Sequence, residues 1–232
     1  MISTIGKAYE YKGGVVIKTT RPPAENLGDE VTVLWHDARM ISPEQRRKAW
    51  ALVGEISRYS GYLTAADKSQ VNNDLKRKFL IDRLDELTAE AIKRFSLSDV
   101  DMTTARLYIT YLTDFIIEHE IPTKEPLIEL CDDIHAYLYG CLKHKRCAVC
   151  GRRAELHHID RVGMGRNRDW IDHTGMRCLP LCRAHHMEVE SPGMGDKAFM
   201  EKYHLEPYVI DAEVVKWYGL GRRKQGQCRK EQ

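Results

Sequence analysis

The chain has no apolar run long enough to span a bilayer, so a helical membrane protein is not expected. Its first residues, MISTIGKAYEYKGG, lack the basic-then-apolar pattern of a secretory leader. Both absences point to the cytosol. Disulfides seldom persist there, so the seven cysteines read as free thiols or metal ligands. No internal repeat is visible, and 232 residues then allow one large domain or two small ones. Net charge is also nearly absent, at +2.

That small sum conceals an asymmetry. Residues 1–140 carry 18 Lys and Arg against 22 Asp and Glu. Residues 141–232 carry 18 against 12. A basic C-terminal part is the footprint of a polyanion binder, although charge alone describes any solvated surface equally well. The apolar fraction of 43% is enough for a core.

Residues 9–20 and 31–37 have strand character, punctuated by Gly13-Gly14 and Pro22-Pro23. A helix starts after Ser42, with Pro43 at its first position and Gln45 closing a capping box, and Gly61 ends it. Residues 70–94 predict a charged helix. Asp101 or Thr103 opens another, which Pro122 stops, and residues 126–141 predict one more. The apolar stripes of these helices are core. After about residue 142 the aliphatic periodicity gives way to Cys, His, Gly and Arg. The expected division is an N-terminal α+β domain over 1–141, a second domain over 142–220 and a basic, disordered tail over 221–232. Two short helices, about 196–204 and 211–219, would close the second domain.

Four cysteines fall in one short segment of that second part. Cys147-x2-Cys150 is followed by Gly151, and Cys182-x2-His185 repeats the spacing downstream. A tight turn aims both members of such a pair at one ion, and two pairs close a tetrahedral Cys3His zinc site. The competing set exchanges His185 for Cys178. The matching x2 spacing favours His185. A structural zinc contributes about 10 kcal/mol to folding, so a domain with little core can stand on it.

His157, His158, His173 and His186 are left over. Surface histidines are common, but four interleaved with zinc-ligand spacing suit the hydrolysis of a phosphodiester. That reaction needs a base for water, a cation for the developing phosphate charge, and positive groups for the backbone. His158 suits the base, because imidazole titrates near neutrality. His157 and His186 suit a divalent ion. Neighbours on a strand face opposite sides, which lets His157 and His158 hold different roles. Glu190 stands one helical turn after His186 and can share its ion, or can be an ordinary solvated carboxylate. Glu188 is expected to point away into solvent.

The segment Leu156-His157-His158-Ile159-Asp160, followed by Leu179-Pro180-Leu181-Cys182-Arg183-Ala184-His185-His186, resembles the signature of the HNH, or ββα-metal, nucleases. The resemblance implies a β-hairpin packed on a helix around one divalent ion, which together with the segments read above makes the chain α+β. A mainly helical N-terminal domain with a few strands would precede a zinc-braced ββα-metal nuclease domain. It implies that His157 binds the catalytic ion, that His158 is the general base, and that His186, directly after the last zinc ligand, is a second metal ligand. Glu190 occupies the place of a further ligand, and His173 is another candidate. The family's middle Asn is missing. Arg177 stands in that neighbourhood, and His173 or Asn167 are its candidate substitutes. Gly163 to Arg168, with Asp172-His173 and His185-His186, is similar to nucleases of this type from phages of Gram-positive bacteria. Ile41 to Leu52, with Gly61, resembles the start of NinB-type phage recombination proteins. This second resemblance implies a partner domain for single-stranded DNA, or contact with recombination or single-strand-binding proteins.

Arg161, Arg166, Arg168 and Arg183 surround the motif and suit phosphate contacts, because a guanidinium can bond two oxygens at once. Nothing resembles base-edge readout, so backbone-directed, salt-sensitive binding of DNA is expected. The catalytic ion could be Mg, Mn, Ni or Zn, since imidazole tolerates the later metals while Mg prefers oxygen. The expected function is DNA cleavage in phage recombination, replication or packaging. The alternative is a zinc-stabilised DNA-binding module without catalysis.

Overall fold

A computed structural model describes residues 6–11, 14–19, 39–83, 95–160 and 172–220. Two strands, β1 (Gly6–Tyr11) and β2 (Gly14–Thr19), pair antiparallel from Gly6 opposite Thr19 to Tyr11 opposite Gly14. The strand character expected over 9–20, punctuated at Gly13-Gly14, is thus the greater part of a hairpin whose first strand starts at Gly6. The strand expected over 31–37, part of the charged helix expected over 70–94, and the tail lie outside the described residues.

Helix α1 (Pro43–Tyr59) starts as its sequence predicts. The Ser42 hydroxyl accepts from the Gln45 amide at 3.0 Å, and the Gln45 side chain accepts from the Ser42 amide at 3.1 Å. Helix α2 (Ala65–Asp82) begins five residues before the expected start. Thr64 and Asp67 form a second capping box there. Helix α3 (Met102–Glu118) is capped by Asp101, whose carboxylate accepts from the Thr104 amide. The three helices bury Leu52, Val53, Phe79, Tyr108, Ile109 and Leu112 in one cluster.

The helix expected over 126–141 is two pieces, α4 (Leu127–Leu130) and α5 (Ile134–Lys143). The break between them has a physical cause. Asp133 caps α5 by accepting from the Ala136 amide, so it cannot also continue α4. From α1, Lys48 donates to the Cys131 carbonyl and Gln45 donates to Asp132, which hold the break open. Leu138 and Leu142 of α5 are fully buried, with Leu142 packed in the same cluster as Cys178. The boundary expected at 141/142 falls inside α5.

The remainder positions the site. Strands β3 (Glu155–His158), β4 (Arg177–Leu181) and β5 (Tyr208–Val209) form an antiparallel sheet in that order. Helix α6 (Arg183–Val189) follows β4 directly, giving strand, strand and helix in succession. Helices α7 (Gly195–Tyr203) and α8 (Ala212–Tyr218) follow. Phe199 of α7 is fully buried beside Leu179, Leu181 and Val189. No helix among the described residues is long and apolar enough to cross a membrane.

Candidate metal and histidine site

Cys147 and Cys150 lie on a tight turn, closed by the Gly151 amide donating to the Cys147 carbonyl at 2.9 Å. Gly151 has φ +69°, a left-handed conformation that costs a glycine nothing. The turn is pinned from two sides. The Ala148 amide donates to the Pro180 carbonyl of β4, and the Tyr137 hydroxyl of α5 donates to the Ala148 carbonyl at 2.7 Å. Cys182 precedes the first residue of α6, which puts His185 in the helix's first turn.

These placements gather Cys147, Cys150, Cys182 and His185, with ligand atoms all within 4.8 Å of one another. The sulfurs of Cys147 and Cys182 each lie 3.3 Å from His185 Nδ1, and those of Cys150 and Cys182 lie 3.7 Å apart. A tetrahedron with ordinary zinc bond lengths has sulfur–sulfur edges of about 3.8 Å and sulfur–nitrogen edges of about 3.6 Å. The donor set therefore has the type and size to hold a metal such as zinc.

Its electrostatics point the same way. Burial pushes the Cys147 thiol up to about 12, so a thiolate there needs a cation beside it. Cys150 is exposed. Burial would raise its thiol, but hydrogen bonds, first that of the Arg152 guanidinium at 3.3 Å, bring it below the usual thiol range. Burial lowers His185, which favours the neutral imidazole that ligates. Cys178 lies elsewhere, fully buried on β4 with Leu142, Ile210 and Val214. Burial, then Asp211, pushes its thiol up to about 12.

A second group stands beside the first. On β3, successive side chains take opposite faces, and the two histidines separate accordingly. His157 is buried and meets the His186 ring, with centroids 4.8 Å apart. His186 Nε2 lies 3.4 Å from a Glu190 oxygen, one turn along α6. Ligand atoms of His157, His186 and Glu190 also lie within 4.8 Å of one another. His186 Nδ1 is buried without a hydrogen bond, 3.6 Å from Glu155 Oε2. Two imidazoles and a carboxylate within reach of one another, with one His186 ring nitrogen left without a hydrogen bond, are a donor set suited to a divalent cation.

His158 faces away from that group. Its Nε2 lies 3.0 Å from Nδ1 of the buried His173. His173 is thus a neighbour of His158, and the second ligand group forms without it. Arg177, in the place expected for the Asn, binds Asp160 two residues beyond His158. Its Nη2 and Nε reach Asp160 Oδ1 at 2.6 and 3.0 Å, and its backbone amide reaches Oδ2 at 2.7 Å. These hydrogen bonds hold the Asp160 carboxyl below the usual carboxylate range.

Arg183 is exposed at the start of α6. Arg161, Arg166, Arg168 and Asn167 lie outside the described residues. Glu188 is not simply solvated. It accepts from Lys202 at 2.7 Å and from the Tyr203 hydroxyl at 3.1 Å, tying α6 to α7. Two acidic residues beside the site carry no sequence signal of the kind used above. Glu155 is one. The other is Asp196, whose Oδ1 lies 2.7 Å from His157 Nε2.

A model of the family described as "Putative HNHc nuclease" matches residues 17–220 of the chain. No curated protein and no solved structure matches it.

Proposed function

Because the chain belongs to this HNHc nuclease family, we propose that it is a metal-dependent endonuclease that hydrolyses DNA phosphodiester bonds. The observation that carries the proposal is the division of labour along β3. His157 faces a group of metal-type donors, while the adjacent His158 faces His173.

Cys147, Cys150, Cys182 and His185 hold a structural zinc that fixes the start of α6 against β4. His157 and His186, with Glu190, hold the catalytic divalent ion, which supplies positive charge to the phosphate and the leaving oxygen. His158 takes the proton of the attacking water. His173 holds the His158 imidazole in one orientation. Arg177 and Asp160 brace the chain just after it, the role the family's Asn would otherwise fill. Arg183, exposed beside the group, contacts the DNA backbone, as do Arg161, Arg166 and Arg168. The setting we propose is phage DNA processing, on the strength of the stretch from Gly163 to His173 and of His185-His186.

The test is plasmid nicking by the intact protein with Mn or Mg. The expected result is cleavage by the parent and a loss of about 10²–10⁴-fold in His158→Ala, with zinc content unchanged. Equal cutting by His158→Ala would remove the base assignment. A parent that binds DNA but never cuts it, with any divalent ion, would favour a binding module.

A further inference from the structure

A buried imidazole that binds a metal must offer a bare nitrogen, and its other nitrogen needs a partner that settles which one that is. His157 is 7% exposed. Among the described residues, the hydrogen-bond partner of its ring is Asp196, with Nε2 and Oδ1 2.7 Å apart. This distance is that of a charge-assisted hydrogen bond. We infer that Asp196 is the positioning residue of His157. It accepts the Nε2 proton, fixes the tautomer, and presents Nδ1 to the divalent ion. The inference rests on the nuclease reading for the existence of that ion.

The surrounding chain delivers Asp196 to this place. Residues 191–195 read Ser-Pro-Gly-Met-Gly, and both glycines are left-handed, with φ +86° at Gly193 and +70° at Gly195. The Ser191 amide donates back to the Glu188 carbonyl and the Met194 amide to that of Ser191. The chain thus doubles back and starts α7 with Asp196 in its first turn. From there α7 is anchored twice, by the fully buried Phe199 and by the contacts of Lys202 and Tyr203 with Glu188. Asp196 is therefore held by the same helix pair that carries His186. A loose surface carboxylate would not be anchored in this way.

The carboxylate also affects affinity. A carboxylate behind an imidazole makes its other nitrogen a better donor, and removing such a partner costs about 10–100-fold in metal affinity. If Asp196 were itself a ligand, its negative charge would be needed at the ion. If it positions the ring, an acceptor oxygen is the main requirement.

The experiment is calorimetric titration of Mn into the zinc-loaded full chain, for the parent, Asp196→Ala and Asp196→Asn. Asp196→Ala is expected to weaken Mn binding about 10–100-fold, with one zinc per chain and the melting temperature retained. Asp196→Asn, which keeps the acceptor, should lose clearly less. Nitrogen NMR of the histidine rings without Mn supplies a readout that involves no ion at the second site. His157 should be the Nε2–H tautomer in the parent and a mixture in Asp196→Ala. Parent-like Mn binding by Asp196→Ala, or an unchanged tautomer, would overturn the inference alone. Equal losses in Asp196→Asn and Asp196→Ala would make the residue a ligand and overturn it too. A parent that takes up none of Mn, Mg, Ni or further Zn at the second site would remove the nuclease reading and this inference together.

Discussion

Stripping the metal from the Cys3His cluster should unfold one part of the molecule and spare another. The cluster joins a turn at residues 147–151 to the start of α6, and Cys147 and Cys182 belong to the core that also contains Leu179, Leu181 and Phe199. The helical core of α1, α2 and α3 contains none of the four ligands. A structural zinc contributes about 10–16 kcal/mol at neutral pH, whereas a whole domain is stable by about 5–15 kcal/mol. Loss of the ion therefore consumes all the stability the smaller core can have. It also leaves Cys147 fully buried with only its neutral thiol tolerable. A chelator strong enough to remove zinc should abolish amide-exchange protection in β3, β4 and α6. Protection in α1 and α3 should persist. Cys182→Ala should reproduce the pattern without chelator. Complete removal of zinc, verified by elemental analysis, with protection of β4 unchanged would refute the structural role of the cluster. Loss of protection in α1 and α3 to the same extent would refute the independence of the two cores.

Three further outcomes are expected. Asp160 is held below the usual carboxylate range, first by hydrogen bonds from the Arg177 side chain and then by its backbone amide. A depressed native pKa stabilises above the unfolded value of about 3.9 and is lost as pH falls through the native value. Melting temperatures of the parent and Arg177→Met should therefore differ at pH 6, and the difference should shrink as pH falls below about 3.9 toward the lower native value. A constant offset would contradict the pairing. In the helical core, the Tyr108 hydroxyl donates to the buried Asn72 Oδ1 at 2.9 Å, so Tyr108→Phe should cost about 1–3 kcal/mol in urea unfolding. Gly195→Ala meets no neighbouring atom but must hold φ +70°, which costs about 1–2 kcal/mol. Where the backbone relaxes from that φ instead, Asp196 moves with it and Mn binding weakens as well, whereas a change in stability alone would separate the turn from the site.

What could be read from the sequence is what neighbouring residues decide among themselves. Ser42 and Gln45 cap α1 through bonds that span three residues, so the helix start is visible in the string. The pairs Cys147 with Cys150 and Cys182 with His185 are equally local, because a turn or a first helical turn brings each pair together wherever it occurs. The opposite facing of His157 and His158 needs only the pleat of a strand. Other features depend on partners far along the chain. The break between α4 and α5 is held by Lys48 and Gln45, more than eighty residues away, so the periodicity of 126–141 reads as one helix. Glu188 looks like a solvated helix carboxylate until α7 folds back and brings Lys202 and Tyr203 to it. Asp196 meets His157 across 39 residues, through a turn that two left-handed glycines make affordable. A ligand that binds a metal must be of a particular type at a particular spacing, and so leaves a motif. A residue that holds such a ligand in place need only arrive, from any distance, with an acceptor oxygen, and so leaves none.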